Sequence, residues 1–241
     1  MDIIKQIAKS RQILKEVLSE DYDTDTLPIY SIDETDKLFS IESSKNPFSI
    51  LSHGGQGNAC NFSVNHRIIK DHQLHVLYYN FQKDGKTKVT KTVIDKIKTL
   101  YNDDIIQPTD NIILILNENI KETIQNINNT LNLHLKDDKF NIKNNDIQLE
   151  KKHFRNVFMF DIKTLQFNIL KHKFVPKHEV VRDNDSIQQI LKNCNCSIDQ
   201  LPIISKEDPI SKIKMCIPGD ICKITRHSKT SGDYIYYRVC R

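Results

Sequence analysis

The residues with the means to do chemistry fall in a few short stretches. Glu150-Lys151-Lys152 has the acidic-x-Lys spacing of metal-dependent nucleases. That chemistry also needs an upstream aspartate on a neighbouring strand to hold a divalent ion. The setting here is polar, and a solvated loop is the expectation. His53-Gly54-Gly55-Gln56-Gly57-Asn58 holds three of the six glycines and could cradle a phosphate, but no Gly-Lys-Ser/Thr follows. It reads as a turn between strands. Cys194-Asn195-Cys196 has one intervening residue, the wrong spacing for zinc, and the other cysteines, Cys60, Cys216, Cys222 and Cys240, form no ligand pairs. His172 and His178 lack two further ligands nearby; around the Val175-Pro176 step their rings are expected to pack and to donate to backbone carbonyls. No nucleophile–base pair, carboxylate dyad or metal cluster with convincing spacing emerges. The reading is therefore no catalytic residue, no metal and no cofactor.

Basic residues offer binding rather than catalysis. Lys83, Lys86, Lys88, Lys91, Lys96 and Lys98 face only Asp84 and Asp95 over residues 83–98. A solvated helix face is the plain reading; sequence-independent contact with the phosphates of double-stranded DNA is the sharper one. Lys121, just past an apolar strand, is a further candidate loop tip. No aromatic ladder accompanies these lysines, which argues against single-strand binding. Arg226, Arg238 and Arg241 lie near the C-terminal end, where arginine suits interface ion pairs.

Composition bounds the rest. The chain has 241 residues, 38% hydrophobic and 27% charged, with a net charge of +4. That is enough apolar content for a core and too little charge to define a nucleic-acid binder. Residues 171–241 carry 13 Lys and Arg against 8 Asp and Glu, so the basic excess sits there. No apolar run approaches the roughly 20 residues of a membrane span, and Met1-Asp2-Ile3-Ile4-Lys5 opens directly into an amphipathic pattern. The expectation is a soluble intracellular chain with free thiols and no membrane partner.

These residues must be positioned by two sets of elements. Residues 3–18 have helical spacing, with Asp2 as cap, and a second helix is expected over 33–39. Residues 74–81 predict a strand, 93–101 a helix, and 111–116 a strand buried on both faces, together one crossover unit. Ile120, Ile124, Ile127 and Leu131 predict another helix. Residues 132–148 are expected as a loop, then strands at 157–161 and 165–171. A division into domains 1–170 and 171–241 follows. In the second, Ser186 is expected to cap a helix to Lys192, with short helical turns between Leu201-Pro202 and Met215. Pro218-Gly219 predicts a turn needing positive φ at Gly219. Strands over 221–226 and 234–239 flank an expected loop at 227–232, and such a two-stranded ribbon must pack on a sheet or a partner.

Three stretches carry a family resemblance. They are His172-Lys173-Phe174-Val175-Pro176-Lys177-His178; Leu201-Pro202-Ile203-Ile204 with Asp208-Pro209-Ile210; and the run from Pro218-Gly219-Asp220-Ile221 to Arg226-His227-Ser228-Lys229-Thr230-Ser231-Gly232 with Tyr234 and Tyr237-Arg238-Val239. In order, spacing and position this resembles the fifth-largest subunit shared by eukaryotic RNA polymerases. The C-terminal domain of that family corresponds to a small archaeal polymerase subunit that lacks the N-terminal domain. The opening helix with Arg11 and Lys15 agrees with the eukaryotic form, and residues 132–156 depart from it as an insertion. The resemblance implies an α+β protein: an N-terminal α/β "jaw" similar in fold to restriction-type endonucleases but inactive, then a small α+β assembly domain ending in a β-ribbon. It also implies a non-catalytic subunit docked on the largest polymerase subunit, among other polymerase subunits, with the jaw near downstream double-stranded DNA.

On this reading the docking residues are His172, Pro176, His178, Pro202, Asp208, Pro209, Pro218, Gly219, Asp220, Arg226, Ser228, Thr230, Gly232, Tyr237 and Arg238. The DNA-proximal residues are Lys86, Lys88, Lys91 and Lys121. The 28 Lys against 7 Arg, with many Ile and Asn, suit an AT-rich genome. A cellular chain would work in the nucleus; one from a large DNA virus would work in host cytoplasm or the virion. The competing readings are a free-standing transcription-regulator module and a nuclease-like DNA-binding protein.

Overall fold

The structure is a computed structural model that describes residues 2–41, 47–51, 57–82, 88–137, 150–230 and 232–241. It is α+β, with two four-stranded sheets. The chain divides into two units, Met1–Asn145 with Phe154–Phe167, and Asp146–His153 with Asn168–Arg241.

In the first unit, α1 (Ile3–Leu18) starts where the Asp2 carboxylate accepts the Ile4 amide at 3.1 Å. Its stripe of Ile4, Ile7, Leu14, Val17 and Leu18 is buried. Ser31 and Glu34 form a reciprocal capping box at the start of α2 (Ile32–Ser40). The sheet has the order β1 (Phe62–Asn65), β2 (Gln73–Tyr78), β3 (Asn111–Leu116), β4 (Val157–Asp161). β1 is antiparallel to β2, whereas β2, β3 and β4 run parallel. Parallel neighbours require crossovers, and α3 (Thr92–Asn102) and α4 (Glu122–Asp137) supply them. Val93, Ile97 and Leu100 of α3 join Ile124, Ile127, Leu131 and Leu135 of α4 in one cluster with Leu77, Leu114 and Met159 of the strands. On the opposite face the Tyr78 hydroxyl meets Ser10 of α1 at 2.9 Å. Both faces are covered, so all six residues of β3 are buried.

Arg11 sits inside this unit rather than on its surface. Its guanidinium donates to the carbonyls of Cys60 (3.0 Å) and Pro28 (3.2 Å) and lies against the Phe62 and Tyr30 rings. Lys15 donates to the Leu27 carbonyl at 2.6 Å. Together they pin the segment after α1.

Several boundaries differ from the sequence expectation. The strand expected over 74–81 ends at Tyr78, where its pairing with Ile115 ends. The loop expected over 132–148 begins as helix, because Leu135 continues the stripe of α4 and is fully buried; residues 138–149 lie outside the described residues. The strand expected over 165–171 is instead two 3₁₀ turns, Ile162–Gln166 and Ile169–Lys171. Asp161 and Asn168 each accept an amide two residues on, which curls the chain out of an extended path. The Gly-rich stretch at 53–56 and the turn at 83–87 also lie outside the described residues.

In the second unit the sheet order is β5 (Lys177–Val181), β7 (Ile221–Ser228), β8 (Gly232–Cys240), β6 (Ile203–Ile204). β5 and β8 are antiparallel to β7, and β6 is parallel to β8. α5 (Asn184–Cys194) covers one face: Ile187 and Leu191 pack with Leu201, Ile221 and Val239. Its cap is Asp183, which accepts the Ser186 amide at 2.8 Å, so the cap expected at Ser186 moves three residues back. On the other face, reached by the turn after α6 (Pro209–Ile213), Cys216, Cys222, Ile224 and Cys240 form a second cluster with Ile204. The loop expected at 227–232 shrinks, because the ladder runs on to Ser228↔Gly232.

Leu114 lies at the centre of the first unit's core. We expect Leu114→Ala to destabilise that unit by about 2–5 kcal/mol, read as a lower midpoint in urea with the slope unchanged.

Candidate docking surface

The turn Ile217-Pro218-Gly219-Asp220 feeds β7, and Asp220 anchors it. Proline sets the backbone at the first central position, and Gly219 takes φ +94° at the second. The chain then aims the Asp220 carboxylate inward, where its residue is 1% exposed. There it accepts from His153 Nε2 at 2.9 Å, Arg182 Nε at 3.2 Å and the Ile217 amide at 3.2 Å. Arg182 continues to the Met215 carbonyl at 3.1 Å. Burial alone would raise the pKa of Asp220, but the His153 bond and the Arg182 charge hold it below the ordinary carboxylate range. The turn also joins the last strand: Gly219 N–H donates to the Cys240 carbonyl at 3.0 Å, and Cys240 N–H donates to the Asp220 carbonyl at 2.8 Å.

Several residues expected to meet a partner are used inside the fold. Asp220 is one. His178 is buried and its Nδ1 bonds the Pro176 carbonyl at 2.7 Å, while His172 Nδ1 accepts from the Phe174 amide at 3.3 Å. Asp208 caps α6 through the amides of Ile210 (2.9 Å) and Ser211 (3.4 Å), with Pro209 at its first turn. The Pro202 carbonyl accepts from Val239 at 2.9 Å. Tyr237 is half-buried and packs against the cluster under α5. These side chains are short or centrally placed, so the fold consumes their polar groups.

His172, Pro202 and Pro209 nonetheless stay exposed, and so does most of the hairpin. Arg226, Thr230 and Gly232 are exposed, Pro218 is exposed at the turn, and Ser228 Oγ lies 3.0 Å from Thr230 Oγ1. β5 pairs with β7 only as far as Thr225, so the segment from Arg226 through Tyr234 projects as a ribbon beyond it. The Tyr234 and Tyr236 rings stack at 5.9 Å, and the Arg238 guanidinium lies 5.8 Å from Tyr236 and 3.4 Å from the Ile203 carbonyl. Arg241 turns to Asp199 of its own chain. Apolar residues outside the expected docking set are exposed as well: Ile235 is 50% exposed, Ile203 55% and Phe174 82%. Strand alternation marks Ile235 only once the neighbours of both faces are known.

In the first unit, topology gathers three of the four candidate lysines. β2 and β3 are parallel, so the loops after them open at the same end of the sheet. Lys88 and Lys91 lead into α3 there, and Lys121 leads into α4; all three are exposed. The Val89 amide donates to Glu118 Oε2 at 3.0 Å and ties the two loops. Lys86 lies outside the described residues. Lys96 leans on the Tyr79 ring at 5.8 Å, and Lys98 Nζ lies 3.0 Å from His134 Nδ1, so both belong to the body of α3.

Glu150 pairs with Lys152 of its own stretch at 2.8 Å, next to a 3₁₀ turn rather than a strand. Among the described residues no three His, Cys, Asp or Glu side chains assemble as a metal ion would need. Ser63, His75 and Asp110 do line up, at 2.7 Å and 3.0 Å, which the sequence did not suggest. Asp110 also accepts the Gln73 and Gln107 amides at 2.7 Å and 3.2 Å. The line braces β1, β2 and the turn entering β3.

Two outcomes follow. Asp220 stabilises the folded unit fully above the unfolded carboxyl value of about 3.9, and this contribution is lost as pH falls through its lower folded value. Asp220→Asn should cost about 3 kcal/mol at neutral pH and flatten the acid limb of a denaturation–pH profile followed by circular dichroism. Gly219→Val should strain the turn by about 1–3 kcal/mol, because a β-branched residue resists positive φ. Hydrogen exchange should then quicken in β7 and β8 and stay unchanged in β3; equal loss in both would contradict this.

Residues 167–240 match the family described as RNA polymerase Rpb5, C-terminal domain. Relatives named DNA-directed RNA polymerase subunit Rpo5 align with about a third of the chain. The protein of Methanosphaera stadtmanae is 40% identical over 77 residues, covering 32% of this chain and 99% of the relative. That of Archaeoglobus fulgidus is 41% identical over 75 residues, 31% and 97% of the two chains. That of Sulfurisphaera tokodaii is 46% identical over 68 residues, 28% and 80%. The stretch that aligns is the one whose turn, anchored ribbon and capped α6 have just been described. On its C-terminal unit this chain belongs to the family of the fifth subunit of DNA-directed RNA polymerase.

Proposed function

We propose that this chain is a non-catalytic subunit of a multi-subunit DNA-dependent RNA polymerase. In this reading it docks on the largest subunit through residues 168–241, and its first unit forms a jaw beside downstream duplex DNA. One observation carries the docking role: the family match spans residues 167–240, and the Methanosphaera stadtmanae relative, named an RNA polymerase subunit, aligns over 99% of its length with 32% of this chain. That relative bears its name as a polymerase subunit on a chain little longer than the matched stretch. The ribbon of β7 and β8 is largely exposed beyond the end of β5, and a bare two-stranded ribbon gains stability from a neighbour.

The jaw role rests on placement. Lys88, Lys91 and Lys121 share the carboxyl end of the parallel strands, the side on which open α/β sheets receive ligands. Lysines on loop tips suit phosphates read without regard to sequence. In this reading the first unit has the restriction-endonuclease-like architecture without its metal chemistry. A cellular copy would act in the nucleus.

Affinity capture of the tagged full chain tests the assignment. The two large polymerase subunits should co-purify in stoichiometric amounts; a chain that stays a free monomer in its own cells defeats the proposal. The triple variant Lys88→Glu, Lys91→Glu, Lys121→Glu should leave co-purification intact. It should lower the salt slope of DNA binding by the assembled enzyme by about 2–3. Purified chain with duplex DNA and magnesium or manganese should give no cleavage.

A further inference from the structure

The last long strand leaves one edge open. β8 pairs along its whole length with β7, but β6 occupies its other edge only at Val239 and Cys240. The bonds fix which residues face which way. Cys240 N–H donates to the Asp220 carbonyl on the β7 side, and Val239 N–H donates to the Pro202 carbonyl on the β6 side. Antiparallel strands alternate at each residue. Tyr234, Tyr236 and Arg238 therefore bond β7, whereas Asp233, Ile235 and Tyr237 aim their N–H and C=O groups at the open edge. Among the described residues no strand lies beside these three.

Exposed edges are normally guarded by proline, by a bulge, by inward charge or by a covering element. Here the edge has none of the first two, its central residue Ile235 is 50% exposed, and Ile203 of β6 adds a second apolar side chain at 55%. Charge around it is mostly positive: Arg226, Lys229 and Arg238, against Asp233, which is 2.8 Å from His227. Arg238 reaches across to the Ile203 carbonyl, at the point where β6 ends and the free edge begins.

We propose that a larger polymerase subunit supplies an extended acidic segment that adds to this edge as a fifth strand, continuing the row that β6 starts. Main-chain bonds to Asp233, Ile235 and Tyr237 hold it, Ile203 and Ile235 cover its apolar side chains, and Arg226, Lys229 and Arg238 receive its carboxylates. The inference rests on the docking reading and deepens it.

Residue-resolved hydrogen exchange on the full chain, free and in the captured polymerase, tests it. The amides of Tyr234, Tyr236 and Arg238 should be protected in both states. Those of Asp233, Ile235 and Tyr237 should exchange fast when free and slow at least tenfold in the assembly. Ile235→Pro removes an amide that the hairpin does not use, so the free variant should keep its circular dichroism and lose at least tenfold in affinity; Ile235→Val should bind normally. If the proline variant fails to fold, the exchange pattern decides alone. Assembly without new protection at 233, 235 and 237, with Ile235→Pro still bound, overturns strand addition and leaves docking standing. Protection that appears in the isolated chain with rising concentration assigns the edge to a second copy and overturns the proposal. Absence of any assembly removes the docking reading itself.

Discussion

The C-terminal unit depends on one buried carboxylate. Asp220 sits at the end of a tight turn and gathers His153, Arg182 and the Ile217 amide, three donors from separate parts of the chain. A lone buried charge would be costly, and these donors offset that cost. What the arrangement secures is position. The turn is locked, so β7 starts in register with the last residues of β8, and β8 in turn seats β6. Removing the carboxylate leaves the Arg182 charge unbalanced and loosens the strand order together.

The same economy runs through other polar residues of the unit. Asp208, Asp183 and Asp220 each satisfy backbone amides that a short helix or turn would leave bare. In the ribbon, β8 is paired along one edge by β7, whereas β6 occupies the other edge only at Val239 and Cys240. An open strand edge presents main-chain groups, which bind without demanding a particular side chain.

The first unit is built differently. Its parallel strands are roofed on both faces, so their side chains are spent on the core, and the exposed lysines sit on the loops at the carboxyl end. Lysines there owe their grouping to two crossovers of the same kind. Arg11 shows the converse, a cation withdrawn from the surface to tie loop carbonyls between aromatic rings.

Much of the fold was legible in the residues themselves. The stripe of α1, the unbroken apolar run of β3 and the Pro218-Gly219 turn are local signals, because periodicity and φ preference need no distant partner. The strand expected at 165–171 failed for an equally local reason, the amide-accepting side chains of Asp161 and Asn168. The site was legible only as a stretch of chain. Which of its residues face outward depends on what packs over them: Asp220 and Arg226 are both charged, six residues apart, yet one is sealed by His153 from 67 positions away and the other lies beyond the end of β5. Sequence by itself determined most of the elements, the turn and the family; burial and the open edge of β8 were decided by tertiary contacts, since both are properties of neighbours that spacing along one chain does not encode.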